Sequence, residues 1–102
     1  MARINVEEID TIIHGRLRLG IMAYLADAEA ADFTELKQAL EATQGNLSAN
    51  LITLEQAGYI AIDKSFIGRK PLTRARITPA GRDAFRRYLG HMAKLVEGLK
   101  LV

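Results

Sequence analysis

The sequence predicts a mainly α-helical domain carrying one β-hairpin, and three observations support this. Leu47, Leu51 and Leu54 recur at helical spacing between a capping Thr43 and a terminating Gly58. After Gly58 the period changes, and two β-rich runs flank a segment holding Gly68 and Pro71. Thr78-Pro79 then opens an amphipathic run that continues towards the end of the chain: a hydroxyl cap, followed by a proline where its missing N–H costs nothing.

Taken in order, residues 4–14 place Ile9, Ile12 and Ile13 on one helical stripe extended by Val6, so an N-terminal helix is expected, with His14-Gly15 as its joint. Residues 16–26 repeat the pattern with Leu17, Ile21, Tyr24 and Leu25. Residues 27–32 form a short acidic, alanine-rich connection. Asp32-Phe33-Thr34-Glu35 is a helix start, with Asp32 or Thr34 as cap and Glu35 at the positive end of the dipole. That helix runs to about Ala42 on Leu36, Ala39 and Leu40, and only a few residues separate it from the helix at 43–57. Two short helices joined by a tight turn, the second with a polar face, follow the helix-turn-helix plan.

Residues 59–64 read as a strand, 65–71 as a turn, and 72–77 as a second strand that alternates Leu72, Arg74 and Arg76 against Thr73, Ala75 and Ile77. The hairpin tip carries Gly68-Arg69-Lys70. In the last helix Phe85, Tyr88 or Leu89, Met92, Leu95 or Val96, and Leu99 make a near-heptad stripe longer than the core of a small domain needs. Packing on a second copy is expected there, with Ile9, Ile12 and Ile13 of the N-terminal helix alongside. On this reading residues 1–14 and 85–102 are the dimerisation parts of one domain spanning 1–102.

Composition bounds the function. A chain of 102 residues is large enough for a modest core and small for a deep catalytic cleft. It has no cysteine, which removes disulfides, thiol redox chemistry and cysteine-ligated zinc, and fits a cytoplasmic protein. No run approaches the length of a membrane span. Ser48 has no histidine or aspartate at an activating spacing, and no glycine-rich phosphate loop is present, so no catalytic residue is assigned. Asp10 and His14 share a helix face and His91 lies far along the chain, but two histidines without a third strong ligand do not amount to a metal site. No cofactor is expected.

The net charge is only +2, but its distribution is lopsided. Residues 1–63 hold four basic and ten acidic side chains, whereas residues 64–87 hold eight basic side chains against Asp83 alone. A polyanion meeting one part of the surface fits that asymmetry. The outward face of residues 43–57 carries Gln44, Asn46, Ser48, Ala49, Ile52 and Thr53, with Asn50 at its border, one acid at Glu55 and no cation. Short uncharged hydrogen-bonding groups fit a DNA groove and reach base edges, and a carboxamide can bond both N6 and N7 of adenine.

Across residues 15–90 the sequence resembles the winged helix-turn-helix transcriptional regulators of the MarR/ArsR kind, and among them the small stand-alone winged-helix domains. The resemblance is carried by Arg16-Leu17-Arg18-Leu19-Gly20-Ile21-Met22, Asp32-Phe33-Thr34-Glu35-Leu36-Lys37 and Gly45-Asn46-Leu47-Ser48-Ala49-Asn50-Leu51. It continues through Leu54-Glu55-Gln56-Ala57-Gly58-Tyr59-Ile60, Lys64-Ser65-Phe66, Arg74-Ala75-Arg76-Ile77-Thr78 and Pro79-Ala80-Gly81-Arg82.

The resemblance implies that residues 43–57 enter the major groove, with Gln44, Asn46, Ser48, Ala49 and Asn50 towards the bases. The hairpin, or wing, would lie on the backbone or in the minor groove, with Arg69 and Lys70 at its tip. Phosphate contacts would come from Thr43, Lys64, Arg69, Lys70, Arg74 and Arg76, with Arg16 and Arg18 either a second clamp or a surface pair on an amphipathic helix. The family often has a basic or imidazole residue where this chain has Ala49 and Asn50, so the helix is unusually uncharged. The expected protein is a homodimeric transcriptional regulator binding double-stranded DNA, with a small-molecule effector of unknown identity as a further partner. The rival is a winged helix used only for protein–protein assembly, with its cations scattered or paired with acids.

Overall fold

A computed structural model describes residues 5–99. Four α-helices and a three-stranded antiparallel sheet follow in the order α1 (Arg16–Ala28), β1 (Ala30–Asp32), α2 (Phe33–Ala39), α3 (Gln44–Gln56), β2 (Ile60–Ile67), β3 (Lys70–Ile77) and α4 (Pro79–Glu97). The sheet order is β1-β3-β2. The core is almost wholly aliphatic: Ile21, Met22 and Leu25 of α1, Leu36 of α2, and Leu47, Leu51 and Leu54 of α3 meet Ile60, Ala75 and Ile77 of the sheet. Phe85 and Tyr88 of α4 close it. Each fully buried leucine stabilises the fold by roughly 1.5–3 kcal/mol relative to exposure.

The helix-turn-helix is fixed by its ends. The Asp32 carboxylate accepts the Glu35 N–H at 2.8 Å and so caps α2. α2 closes with Glu41 at φ 50°, its N–H donating to the Gln38 carbonyl while the Ala42 N–H reaches back to Lys37. The Thr43 hydroxyl then accepts the Asn46 N–H at 3.2 Å and starts α3. α3 ends in the same way as α2, with Gly58 at φ 80° as the left-handed residue and the Tyr59 N–H on the Leu54 carbonyl.

Three sequence expectations are corrected. Residues 5–14 contain a single 3-10 turn (Val6–Glu8) rather than a helix. The Asp10 carboxylate accepts the N–H groups of Ile12 (2.8 Å) and Ile13 (3.0 Å), donors that a continuing helix would send to its own carbonyls. Ile13 is fully buried, and Ile9 and Ile12 are partly buried against the chain's own core, so these isoleucines contribute to closing the monomer. Phe85, also expected at the interface, is buried as well.

Second, residues 27–32, a connection by their sequence, contain β1. Its residues Ala30, Ala31 and Asp32 pair with Arg76, Ala75 and Arg74. Third, the hairpin is longer than expected, pairing without interruption from Ile60↔Ile77 to Ile67↔Lys70 and leaving only Gly68 and Arg69 in the turn. Gly68, at φ 62°, supplies the positive φ that such a two-residue turn demands. Pro71 is tolerated inside β3 because β1 covers that strand only at Arg74–Arg76.

Candidate nucleic-acid interface

α3 and the hairpin border one groove. Gln44, Ser48, Ile52 and Glu55 line it from the helix; Ile62, Lys64, Pro71 and Thr73 line it from the strands, and Asp32, Phe33 and Thr34 close one end. Strand alternation builds the second wall. Ile60 is buried, Ile62 half-buried and Lys64 exposed, so the face that enters the core at one end of β2 emerges as groove wall at the other. On α3, Leu47, Leu51 and Leu54 point inward, which turns Gln44, Asn46 and Ala49 to solvent, with Ser48 half-buried beside the groove. Ile52 is half exposed in the same wall.

Asn50 and Arg18 are held differently from the rest of the expected set. The Arg18 Nη1 donates to Asn50 Oδ1 at 2.8 Å, and the Asn50 Nδ2 donates to the Asn46 carbonyl at 2.7 Å. Arg18 Nε also donates to the Ile12 carbonyl at 2.5 Å. Both ends of the carboxamide are therefore engaged within the chain, and Arg18 is a tie between the N-terminal segment and α3. Arg16 is exposed, with no ion pair among the described residues.

The cations of the hairpin divide. Lys64 is on the groove side, and Arg69 and Lys70 are exposed at the turn. Arg74 and Arg76 lie on the face opposite the buried Ala75 and Ile77. Arg76 Nε is 3.8 Å from Asp63 Oδ2, an exposed pair worth little. Arg74 has Asp32 and Asp63 as its cross-strand neighbours. The five hairpin cations expected to act together are thus split between two faces and the tip. Two carboxylates, Asp32 and Glu55, also line the groove.

The opposite side of the domain holds a polar cluster that sequence spacing did not reveal. Tyr59 donates its hydroxyl hydrogen bond to Asp10 Oδ2 at 2.6 Å, which raises the Tyr59 pKa above the ordinary tyrosine value, with burial adding to the rise. His14 Nδ1 and the Tyr88 hydroxyl share a hydrogen bond at 2.9 Å. These contacts fasten residues 10–14 to the residue before β2 and to α4. No group of three or more metal-ligating side chains is found among the described residues.

Beyond Tyr88, Met92 still packs against the core, and then α4 leaves it. Leu89, Val96 and Leu99 are about half exposed or more and Leu95 is partly covered, which leaves an apolar stripe without a partner among the described residues. No helix among the described residues is long and apolar enough to cross a membrane.

Known proteins match this architecture over most of its length. A family model described as winged helix DNA-binding domain matches residues 17–96. An uncharacterised protein of Methanocaldococcus jannaschii is 34% identical over 89 residues, covering 87% of this chain and 97% of the relative. The structure of a transcriptional regulator homologue from Pyrococcus horikoshii OT3 superposes with a TM-score of 0.86 at 31% identity, covering 93% of this chain and 95% of that one. A MarR-family transcriptional regulator from Silicibacter pomeroyi shares the fold at a TM-score of 0.66 and 20% identity, over 92% of this chain and 65% of that one. The family is one of DNA-binding regulators rather than enzymes. By the match across residues 17–96, the chain belongs to the winged-helix DNA-binding domain family.

Proposed function

We propose that this protein is a homodimeric, cytoplasmic transcriptional regulator that seats α3 in the major groove of double-stranded DNA and lays the β2–β3 wing on the adjoining backbone or minor groove. The observation that carries the reading is the shared groove, with the outward face of α3, uncharged apart from Glu55, on one side and Lys64 and the wing on the other. Gln44, Asn46, Ser48 and Ala49 are assigned to the base edges. Thr43, Lys64, Arg69 and Lys70 are assigned to phosphates, with Arg16 as a flanking contact. Arg18 and Asn50 support α3 from behind. Arg74 and Arg76 add positive potential at a distance, since their face of the sheet is turned from the groove. The exposed stripe Leu89, Val96 and Leu99 is assigned to a second copy, which would present two recognition helices to half-sites about one helical turn apart.

Affinity on this reading comes mainly from counterion release. The purified protein should bind a mixed-sequence duplex at low salt and release it as salt rises. Arg69→Ala with Lys70→Ala should weaken binding to every sequence and reduce the slope of log affinity against log salt by about 1–2. An unchanged slope would remove the wing from the interface. Absence of any salt-sensitive DNA binding would favour the protein-assembly alternative, for which the Arg76–Asp63 pair is the supporting observation.

A further inference from the structure

We propose that Phe66 is an apolar wedge which the wing sets into the minor groove, loosening one base step and bending the duplex; this rests on the DNA-binding reading above. Phe66 is 71% exposed and its neighbour Ile67 67%, the two highest values among the large hydrophobic side chains described. Leaving such side chains in water forfeits the stabilisation that burial gives, so their place at the tip is not explained by folding. The tip is also stiff: the strands pair through Phe66↔Pro71 and Ile67↔Lys70, and only Gly68 and Arg69 turn between them. A short two-residue turn holds its flanking side chains in place.

The face on which Phe66 lies follows from alternation along β2. Ile60, Ile62, Lys64 and Phe66 share one side, which passes from the core through the groove wall to the tip. A duplex seated on α3 and reaching Lys64 therefore meets Phe66 next. Ile67 lies on the other side of the ribbon.

The chemistry around Phe66 selects the occupant. Residues 64–76 contain Lys64, Arg69, Lys70, Arg74 and Arg76 and no carboxylate. Two such wings repel each other, whereas a polyanion is drawn in, and a narrow minor groove is where the negative potential of a duplex is strongest. A phenyl ring gains nothing from a phosphate, but it can press between base edges. Cations with Phe or Ile wedges are the combination by which minor-groove proteins unstack a step and bend DNA away from themselves.

The test compares the full-length protein with Phe66→Ala and Ile67→Ala on a mixed-sequence duplex of about 30 base pairs labelled at both ends, reading affinity, salt slope and end-to-end distance by energy transfer. Wild type should shorten the end-to-end distance, with a bend on the order of 20° or more. Phe66→Ala should lose the bend and bind about tenfold more weakly, on the scale of one lost aromatic contact. Its salt slope should be unchanged, since no cation is removed. Ile67→Ala should keep both bend and affinity.

Wild-type affinity and bend in Phe66→Ala, or equal losses in the two variants, would overturn the wedge. So would a change in the sedimentation of free Phe66→Ala, which would make the ring a contact between copies. A wild-type protein that binds without bending the duplex refutes the wedge alone, whereas one that binds no duplex at any salt refutes the DNA-binding reading itself.

Discussion

Asn46 and Asn50 are one helical turn apart on α3, and the sequence separates them only by placing Asn50 at the border of the outward face. Their surroundings separate them further. Asn46 is exposed, while the Asn50 carboxamide bridges Arg18 and the Asn46 carbonyl. Asn50→Ala should therefore lower stability by about 1 kcal/mol, the usual scale for a lost internal hydrogen bond, and leave the ranking of DNA sequences intact. Asn46→Ala should do the reverse: an unchanged melting temperature with relaxed preference among duplexes. Thermal melts paired with a competition assay across a small panel of duplexes separate the two, and exchanged outcomes would contradict the assignment. The partner of Asn50 was not legible in the sequence because Arg18 lies 32 positions away and only the α1–α3 packing brings them together. Arg74 and Arg76 illustrate the same limit. Their alternation was visible, but which face of the sheet would meet α3 was not.

Elements whose boundaries depend on local chemistry were the legible ones. Thr43 and Thr78 cap the helices they are expected to cap, and of the two candidates Asp32 and Thr34 it is Asp32 that caps α2, because a side-chain oxygen next to free N–H groups needs nothing from the rest of the fold. β1 was hidden for the opposite reason: Ala30-Ala31-Asp32 has no strand-forming residue and is a strand only because β3 lies beside it. The N-terminal segment misled because its isoleucine spacing fits a helix, while Asp10 diverts the N–H groups that a helix would use.

Gly81 shows how tightly one junction between elements is built. A Cβ placed there would lie 2.0 Å from the Tyr59 carbonyl oxygen, where the start of α4 crosses the chain just before β2. Gly81→Ala should destabilise by about 3 kcal/mol, at the upper end for overpacking against backbone. Gly90→Ala meets nothing within 4 Å and should stabilise α4 by roughly 0.5–1 kcal/mol. Urea midpoints of the two variants check the contrast. A tolerated alanine at position 81 would mean that α4 does not enter the fold at this angle.

At the scale of the whole molecule, two features extend from the helical body. The radius of gyration is 15.6 Å and the longest extent 60 Å, against roughly 13 Å expected for the radius of a compact chain of this length. The wing accounts for one projection and the far half of α4 for the other. Only the first half of α4 was needed by the core, so the long stripe noted in the sequence divides into a buried part at Phe85 and Tyr88 and an open part from Leu89 to Leu99. Leu89→Glu with Val96→Glu places like charges on that open part and should convert a dimer to a monomer in sedimentation, with an accompanying loss of DNA affinity. A wild-type protein that sediments as a monomer at tens of micromolar would contradict the assignment of the stripe.

On the proposed function, the polar outward face of α3 and the cationic wing meet the same duplex together. Amide chemical shifts of the isotope-labelled protein, followed while a short duplex is added, test it most directly. Changes should concentrate jointly at residues 43–49 and 64–70 and leave the far half of α4 unmoved. Changes confined to one of the two groups, or centred on the Leu89–Leu99 stripe, would contradict it.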